Sequence, residues 1–204
     1  MKYQKGFSSF HKSAAAHLYC DAFERKFIRL LGDKAKITDL FQLGLNPEFC
    51  FVALDSQDQL VGLLGFRIEK NQLLNLKRRE FQQVFGPFSG LFRFLITSLI
   101  FARKASSGTQ ILMDGVAVSA EVRGQGVGSK LFSEFLDFAK LKGFESVRLD
   151  VIDENPRAKS LYEKMGFSTY KYLKTPWPIN NLIGVSGVTT MILNLDLIKR
   201  NQNS

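Results

Sequence analysis

The chain of 204 residues is poor in the residues that build disulfide frameworks and metal centres, with only two cysteines and two histidines. Two cysteines cannot staple a fold of this size, and reduced cysteines are ordinary inside the cell, so we expect a cytoplasmic protein. The N-terminus lacks an apolar run of the length that secretory signals have. His11 and His17 are expected to be surface or helix residues, and the absence of a Cys/His/Asp cluster predicts no metal site.

Long apolar runs are missing as well. Residues 94–102 form the most apolar stretch, which is shorter than the ~20 residues that a membrane-spanning helix needs. Arg93 and Arg103 flank this stretch. We therefore expect no membrane span and favour a buried or amphipathic helix over one that lies on a membrane.

Acidic residues are in deficit, which leaves a net charge of +9 and a pI of about 9.6. Such a charge suits an anionic partner, whether a phosphorylated cofactor, a nucleic acid or a membrane surface. The basic run "LKRRE" at 76–80 favours a nucleic acid, but the interleaved basic and aromatic residues of RNA-binding modules are not found. We expect no nucleic-acid partner.

The length fits one domain with a single core, and the 19 phenylalanines indicate an aromatic core more than an apolar substrate cleft. Hydrophobic periodicity orders the chain as helix, helix, strand pair, variable segment, strand, helix, strand, helix and late strands. This order predicts an α/β fold with a mixed sheet. The predicted helices cover 13–31, 34–43, one or two within 70–108, about 127–142 and 155–165, and the strands cover 49–54, 60–68, 111–118, 146–152, 167–173 and 188–197.

A glycine-rich loop, "VRGQGVGSKLF" at 122–132, lies between a predicted strand and helix. Unpaired N–H groups and the dipole at a helix N-terminus attract phosphate, and glycines let the backbone approach it. Arg123 adds a positive charge. The spacing fits neither a P-loop nor a dinucleotide-binding loop, and a tight turn without a ligand stays as the alternative.

Two motifs then resemble one family. Arg123, Gly126 and Gly128 fit the [RQ]-x-x-G-x-[GA] loop of the GNAT acyltransferases. "NPRAKSLYEKMGF" at 155–167 is similar to the helix that follows this loop in the family. The matching part covers about residues 109–170, with a strand between the two motifs.

The resemblance implies a mixed, mostly antiparallel central sheet with helices on both faces and a splayed strand pair at an acetyl-CoA site. It implies a single N-acetyltransferase domain over residues 1–204, with a helical insertion at about 70–108. We hypothesise that this insertion walls the acceptor cleft and suits a partly apolar substrate or a peptide.

The resemblance also assigns the donor site. The loop residues would cradle the pyrophosphate of acetyl-CoA through backbone N–H groups; they are Arg123, Gly124, Gln125, Gly126, Val127, Gly128 and Ser129. Val116, Ala117 and Val118 would pair with the pantetheine arm. The N–H of Val118 or Ala117 would polarise the thioester carbonyl.

The second motif contributes three candidate residues. Asn155 either caps its helix or binds the pantetheine arm, and Ala158 leaves room for the coenzyme. Tyr162, four residues further on the same helix face, is the candidate general acid toward the leaving thiolate. The alternative for Tyr162 is a tyrosine packed in the core with a bonded hydroxyl.

Removal of a proton from an amine requires a base. Asp114 is our candidate, in an otherwise apolar strand and predicted to share a face with Leu112, Val116 and Val118. Burial there would make its carboxylate a stronger base. A carboxylate bonded at a sheet edge is the alternative, and Glu69 and Asp150 are weaker candidates.

The predicted function is transfer of an acetyl group from acetyl-CoA to a primary amine of a small molecule, peptide or protein, by direct attack in a ternary complex. The alternative is a module of the same fold that binds acyl-CoA or a nucleic acid without catalysis. The partners expected are acetyl-CoA and an amine acceptor. The resemblance allows a homodimer, since late strands in such sheets often pair between subunits.

Overall fold

The structure, a computed structural model, describes residues 1–100 and 108–196. Its strands are β1 (Lys2–Lys5), β2 (Cys50–Leu54), β3 (Leu60–Ile68), β4 (Asn71–Gln72), β5 (Gln110–Val118), β6 (Ser146–Ile152), β7 (Ser168–Lys174) and β8 (Gly187–Asn194). Its α-helices are α1 (Lys12–Leu31), α2 (Lys34–Gly44), α3 (Arg78–Phe85), α4 (Pro87–Ile100), α5 (Val127–Leu141), α6 (Pro156–Lys164) and α7 (Ile179–Ile183). Short 3₁₀ helices cover Ser9–His11, Pro47–Phe49 and Ala120–Val122.

The strands form one sheet in the order β1-β2-β3-β5-β6-β8-β7, with β4 paired to β3. In the part of the chain that the structure describes, β5 and β6 are parallel and the other pairs are antiparallel. This confirms the mixed, mostly antiparallel sheet. Residue 197, at the end of the last predicted strand, lies outside the described residues.

The parallel pair separates halfway along its length. β5 and β6 pair from Gln110 with Ser146 to Met113 with Leu149, and the register contains no pair beyond these, although β5 continues to Val118. On its other side β5 stays paired with β3 up to Val118, opposite Gly62. The predicted splay is therefore present, and it leaves one edge of β5 facing an opening.

Helices cover both faces of the sheet and enclose two clusters of buried side chains. Under α5, Leu131 and Phe135 pack against β3, β5 and β6. Under α1 and α2, Cys20 and Phe41 pack against β2 and β3. β2 divides its side chains between the two clusters, which explains why a strand buried on both faces reads as a continuous apolar run.

Phenylalanine builds much of both clusters, as expected. Phe41, Phe66, Phe81 and Phe135 are among the largest side chains that are fully buried. The ring centroids of Phe66 and Phe135 lie 5.7 Å apart. The offset packing of such rings adds to the stabilisation that burial provides.

Helix boundaries follow local signals closely. α1 ends at Gly32, whose φ is +85°, a conformation that glycine adopts easily. Asp33 then caps α2, since its Oδ1 accepts from the N–H of Ala35 at 2.7 Å. Both helices match the predicted ranges within one residue.

The predicted insertion contains two helices, α3 and α4, in its described part, whereas residues 101–107 lie outside the described residues. The rings of Phe81 and Phe94 meet edge to face with centroids 5.7 Å apart. Gly90 packs so closely that a Cβ there would collide with the backbone of Phe81. No helix within the described ranges is both long and apolar enough to cross a membrane.

The two histidines differ from each other. His17 is exposed on α1, whereas His11 is 6% exposed and ends a 3₁₀ helix, so His11 is not a surface residue. Its Nε2 lies 2.9 Å from the carbonyl oxygen of Asp58, and its Nδ1 lies 3.0 Å from the Ser8 hydroxyl. His11 therefore ties the N-terminal segment to the β2–β3 turn.

Both cysteines are fully buried. Burial raises the pKa of the Cys50 thiol to about 12, and the opposing effects of Lys5 and of the backbone at Gly6 are smaller. At pH 8 the Cys50 thiolate, which is the form that reacts, is then rare. We predict that a disulfide reagent such as dithionitrobenzoate modifies neither thiol of the native protein within minutes and modifies both in urea. Rapid release of one equivalent from the native protein would contradict this burial.

Candidate active site

A cavity of about 1330 Å³ opens where β5 and β6 separate. Its walls come from α1, β5, the glycine-rich loop, β6, α6 and the segment after α7. It brings together all of the predicted site residues except one, namely Asp114, Val116, Ala117, Val118, Arg123, Gly124, Gly126, Val127, Gly128, Ser129, Asn155, Ala158 and Tyr162. The exception is Gln125, whose Nε2 donates to the carbonyl oxygen of Glu121 at 3.2 Å.

The loop owes its shape to two glycines. Gly124 and Gly126 have φ values of +81° and +78°, and Gly126 directly precedes α5. Other residues adopt this left-handed conformation at a cost of about 1–2 kcal/mol. The glycine spacing therefore reflects the backbone conformation that turns β5 into α5.

The start of α5 presents backbone N–H groups to the cavity. The N–H of Lys130 donates to Gly126 at 3.0 Å, and no side chain caps the helix at Gly126. The amides of Val127, Gly128 and Ser129 precede this bond, where a helix leaves its N–H groups without intrahelical partners. With the helix dipole, these amides form a site for an anion.

Arg123 links the loop to the end of β5. Its Nε donates to the carbonyl oxygen of Val118 at 3.2 Å, and the side chain is exposed at the cavity. The arginine thus places a positive charge beside the anion site and also holds the loop against the strand.

Along the open edge of β5, the hydrogen bonds with β3 determine which backbone N–H groups point toward the splay. The N–H of Ser119 donates to Val61 on β3 at 2.9 Å, so Ser119 and Val61 form a hydrogen-bonded pair. In an antiparallel ladder the next pair, Val118 with Gly62, turns its N–H and carbonyl groups away from the partner strand. The N–H of Val118 therefore points toward the splay and that of Ala117 toward β3, which favours Val118 of the two candidates for polarising a carbonyl.

Asp114 lies at an irregularity of β5. The register with β3 passes from Met113 opposite Phe66 to Gly115 opposite Gly65, so Asp114 is an extra residue. Such a bulge reverses the alternation of the strand. Val116 packs with Met113 in the cluster under α5, and the prediction that Asp114 shares a face with Val116 and Val118 is therefore wrong.

The bulge turns Asp114 toward α1, where it is partly buried. The neighbouring Gly115 is so close to the ring of Phe23 on α1 that a Cβ would collide with it. Asp114 and Phe23 line the large cavity and also a second cavity of about 260 Å³. The Asp114 carboxylate thus lies where the two cavities meet.

The walls of the second cavity combine apolar and polar side chains in similar measure. Its lining comes from α1, the β3–β4 hairpin, α3 and α4, and consists of Tyr19, Phe23, Phe27, Arg67, Gln72, Leu74, Leu76, Phe81, Thr97, Ser98 and Asp114. The Thr97 hydroxyl is buried and has no hydrogen-bond partner within the described part of the chain. A buried polar atom of this kind is uncommon, and a missing ligand is one explanation for it.

Tyr162 lies on α6 beside the large cavity. Its ring meets that of Phe167 edge to face with centroids 5.8 Å apart. Burial raises the pKa of the Tyr162 phenol, so the hydroxyl stays protonated at neutral pH. A protonated hydroxyl at a cavity wall is suited to donate a proton.

Asn155 caps α6, because its Oδ1 accepts from the N–H of Ala158 at 3.1 Å. The structure thus contains the capping bond, and Asn155 also lines the cavity. Of the weaker acidic candidates, Asp150 lines the cavity and accepts from the Thr190 hydroxyl at 2.7 Å. Glu69 is exposed at the end of β3 and is absent from the cavity lining.

Sequence reasoning missed the walls that α1 and the α7 region supply. Arg29 of α1 donates to the carbonyl oxygen of Asn181 at 3.4 Å and thereby joins the two walls. Glu154 also lines the cavity; burial alone would raise its pKa, but hydrogen bonds from Ser186 outweigh burial and lower it. The spacing of apolar residues in α1 is the only sequence signal for these walls. It predicts a helix but does not indicate which part of the molecule that helix covers.

A metal centre is not apparent: within residues 1–100 and 108–196, no three His, Cys, Asp or Glu side chains are grouped to hold an ion. The polar groups of the site described so far include backbone amides, Arg123, Tyr162 and a few carboxylates.

The model of the acetyltransferase (GNAT) family matches residues 13–167. Because this match covers well over half of the chain, the chain belongs to the GNAT acetyltransferase family. The resemblance that the loop and the α6 motif indicated is confirmed. Members of this family use acetyl-CoA as the donor.

Curated relatives are similar over about a third of the chain. The chain is 38% identical to the thialysine N-epsilon-acetyltransferase of Bos taurus over 66 residues, which are 32% of this chain and 39% of that enzyme. It is 40% identical to N-alpha-acetyltransferase 30 of Schizosaccharomyces pombe over 58 residues, which are 28% of this chain and 39% of that enzyme. The chain thus matches well under half the length of either relative.

The fold is similar to that of solved acetyltransferases. An N-acetyltransferase from Staphylococcus aureus superposes with a TM-score of 0.65 at 15% identity, over 95% of this chain and 100% of that structure. At this identity the likeness concerns the fold and not the substrate.

The conformation of the glycine-rich loop can be tested by comparing two glycine variants. Gly126 and Gly143 have φ values of +78° and +77°, and neither has a neighbour within 4 Å of a Cβ position. Gly126 lines the cavity, whereas Gly143 follows the other end of α5. We predict that Gly126→Ala and Gly143→Ala each lose about 1–2 kcal/mol of unfolding free energy.

Only Gly126→Ala is expected to weaken binding of coenzyme A, by about tenfold or more, since 1.4 kcal/mol corresponds to tenfold. Calorimetric titration and urea unfolding measure the two effects. Equal affinity of both variants for coenzyme A would contradict the position of the anion site.

Proposed function

We propose that this chain transfers an acetyl group from acetyl-CoA to a primary amine by direct attack within a ternary complex. The observation that carries the proposal is the splay of β5 from β6, which opens onto the uncapped N-terminus of α5. One cavity then offers a strand edge to the pantetheine arm and an anion site to the pyrophosphate. In this proposal residues 1–204 act as one acetyltransferase domain.

The N–H of Val118 would donate a hydrogen bond to the thioester oxygen as negative charge develops on that oxygen. It points toward the splay, and a fixed donor at that position stabilises a tetrahedral oxyanion without reorganisation. The edge of β5 from Val116 to Val118 would align the pantetheine arm as an added strand does.

The proton transfers would use the two candidate residues. The amine nitrogen bonds to the acetyl carbon, and one of its protons passes to the Asp114 carboxylate directly or through a water. The carbon–sulfur bond then breaks, and Tyr162 donates its proton to the leaving thiolate. The products are the N-acetylated acceptor and coenzyme A.

The acceptor would enter the second cavity. Asp114 lies at the junction of this cavity with the first, so an amine held there is next to a carboxylate. Aromatic rings from α1 and α3 surround the space, and its volume of about 260 Å³ limits what fits. These walls suit an amine on a compact apolar body, with the α3–α4 hairpin as one wall.

Replacement of Tyr162 tests the acid role. We predict that Tyr162→Phe lowers kcat by about 100-fold, the lower end for loss of a general acid, while the Kd for coenzyme A changes little. Tyr170→Phe is the matched control, because Tyr170 is 72% exposed on β7 and absent from the cavity lining. Since burial raises the pKa of Tyr162 above that of a free phenol, a loss of the wild-type rate through its ionisation should begin at a higher pH than for an exposed tyrosine.

Thiol release from acetyl-CoA with a panel of amines provides the measurement. Unchanged kcat in Tyr162→Phe would contradict the acid role. Binding of coenzyme A without turnover on any amine would instead favour the module that binds without catalysis.

Replacement of Thr97 tests the acceptor cavity. The unpartnered buried hydroxyl makes Thr97→Val neutral or slightly stabilising in the free protein, because no hydrogen bond is lost. If the hydroxyl binds the acceptor, KM for the amine rises roughly three- to tenfold, corresponding to one hydrogen bond. The Kd for coenzyme A stays unchanged.

Thr38→Val is the control, since the Thr38 hydroxyl is also buried but donates to the Lys34 carbonyl at 3.0 Å on α2. This variant should lose stability and keep its KM. A lower unfolding midpoint for Thr97→Val with an unchanged KM would place the acceptor elsewhere.

A further inference from the structure

The outer face of α4 carries a stripe of large exposed apolar side chains. Phe88, Phe92, Leu95 and Leu99 are 87%, 64%, 56% and 78% exposed. Their spacing of four, three and four residues places them on one side of the helix. We name these four residues the α4 stripe.

The opposite side of α4 is apolar too. Gly90 and Phe94 pack against α3, and Thr97 lines the second cavity. Neither acidic residues nor lysines occur in α4, whose sequence is PFSGLFRFLITSLI. A helix that is apolar on both sides normally has both sides covered, and a contiguous exposed apolar patch marks an interaction site.

Positive charge is concentrated in the same region. Residues 70–100 contain five basic residues and one acidic residue, a net charge of +4, while the whole chain carries +9. Lys77, Arg78 and Arg79 are exposed at the start of α3. Leu76, just before them, lines the same cavity as Thr97, so this basic run begins beside the second half of α4.

We propose that the α3–α4 hairpin docks on an anionic lipid membrane, with the α4 stripe in the boundary between headgroups and acyl chains. A helix with large apolar side chains beside basic residues has the composition of interfacial membrane helices. The basic residues then lie near acidic headgroups, where each strengthens attachment. A second copy of the chain is a poorer occupant, because it would bring the same positive charge to the interface.

Vesicle sedimentation tests the proposal. The full chain is mixed with phosphatidylcholine vesicles with or without phosphatidylserine, at about 0.15 M salt and at higher salt. We expect binding to the anionic vesicles that weakens as salt increases, and little binding to the neutral ones. No sedimentation with the anionic vesicles, or binding that ignores both salt and lipid charge, would overturn the proposal.

Variants of the exposed residues identify the surface. Phe92→Gln combined with Leu99→Gln should lower the vesicle partition coefficient by about tenfold or more, since two large apolar side chains no longer insert. Phe10→Gln combined with Leu141→Gln is the control, because these side chains are 78% and 84% exposed on other elements. The control should bind as the wild type does.

Equal loss of vesicle binding in the control pair would overturn the assignment to α4. Size-exclusion chromatography without lipid tests whether a second copy of the chain binds the α4 stripe. A dimer that Phe92→Gln and Leu99→Gln dissolve would show that the stripe binds a second copy. Thermal unfolding of each variant confirms that the fold is intact, as expected for substitutions at exposed positions.

Discussion

The separation of β5 from β6 is the constraint on which the whole site depends. β5 keeps its ladder with β3 up to Val118, so its other edge presents backbone groups to open space. α5 starts from the end of β5 and α6 from the end of β6, and the splay therefore places two helix N-termini at one cavity. Backbone geometry thus supplies the strand edge and the helix amides of this site, and Tyr162 and Asp114 add the two side-chain roles proposed for the proton transfers.

Features that arise from neighbouring residues could be predicted from the sequence. Asp33 and Asn155 cap helices and Gly32 ends one, and each signal lies within a few residues of the boundary that it sets. The residues of the loop at 122–132 likewise determine its conformation, because two glycines with positive φ precede a helix. The residues predicted for the donor site therefore line one cavity, with Gln125 as the exception.

Features that depend on residues far apart in the sequence could not be predicted from local patterns. The bulge at Asp114 depends on the register with β3, and an alternation read along β5 alone placed this side chain on the wrong face. β1 is four residues long and contains one apolar residue, Tyr3, so it forms a strand because β2 offers an edge and not because of its own pattern. The contact of Arg29 with Asn181 joins residues separated by 152 positions, and no local pattern predicts it.

The contact between Gly115 and Phe23 has a consequence for the wall that α1 supplies to the two cavities. The ring of Phe23 borders both cavities and rests on a strand position where no side chain fits. The ring can keep this position only because residue 115 has no side chain. Any side chain at 115 would displace the Phe23 ring, and with it a part of the α1 wall that both cavities share.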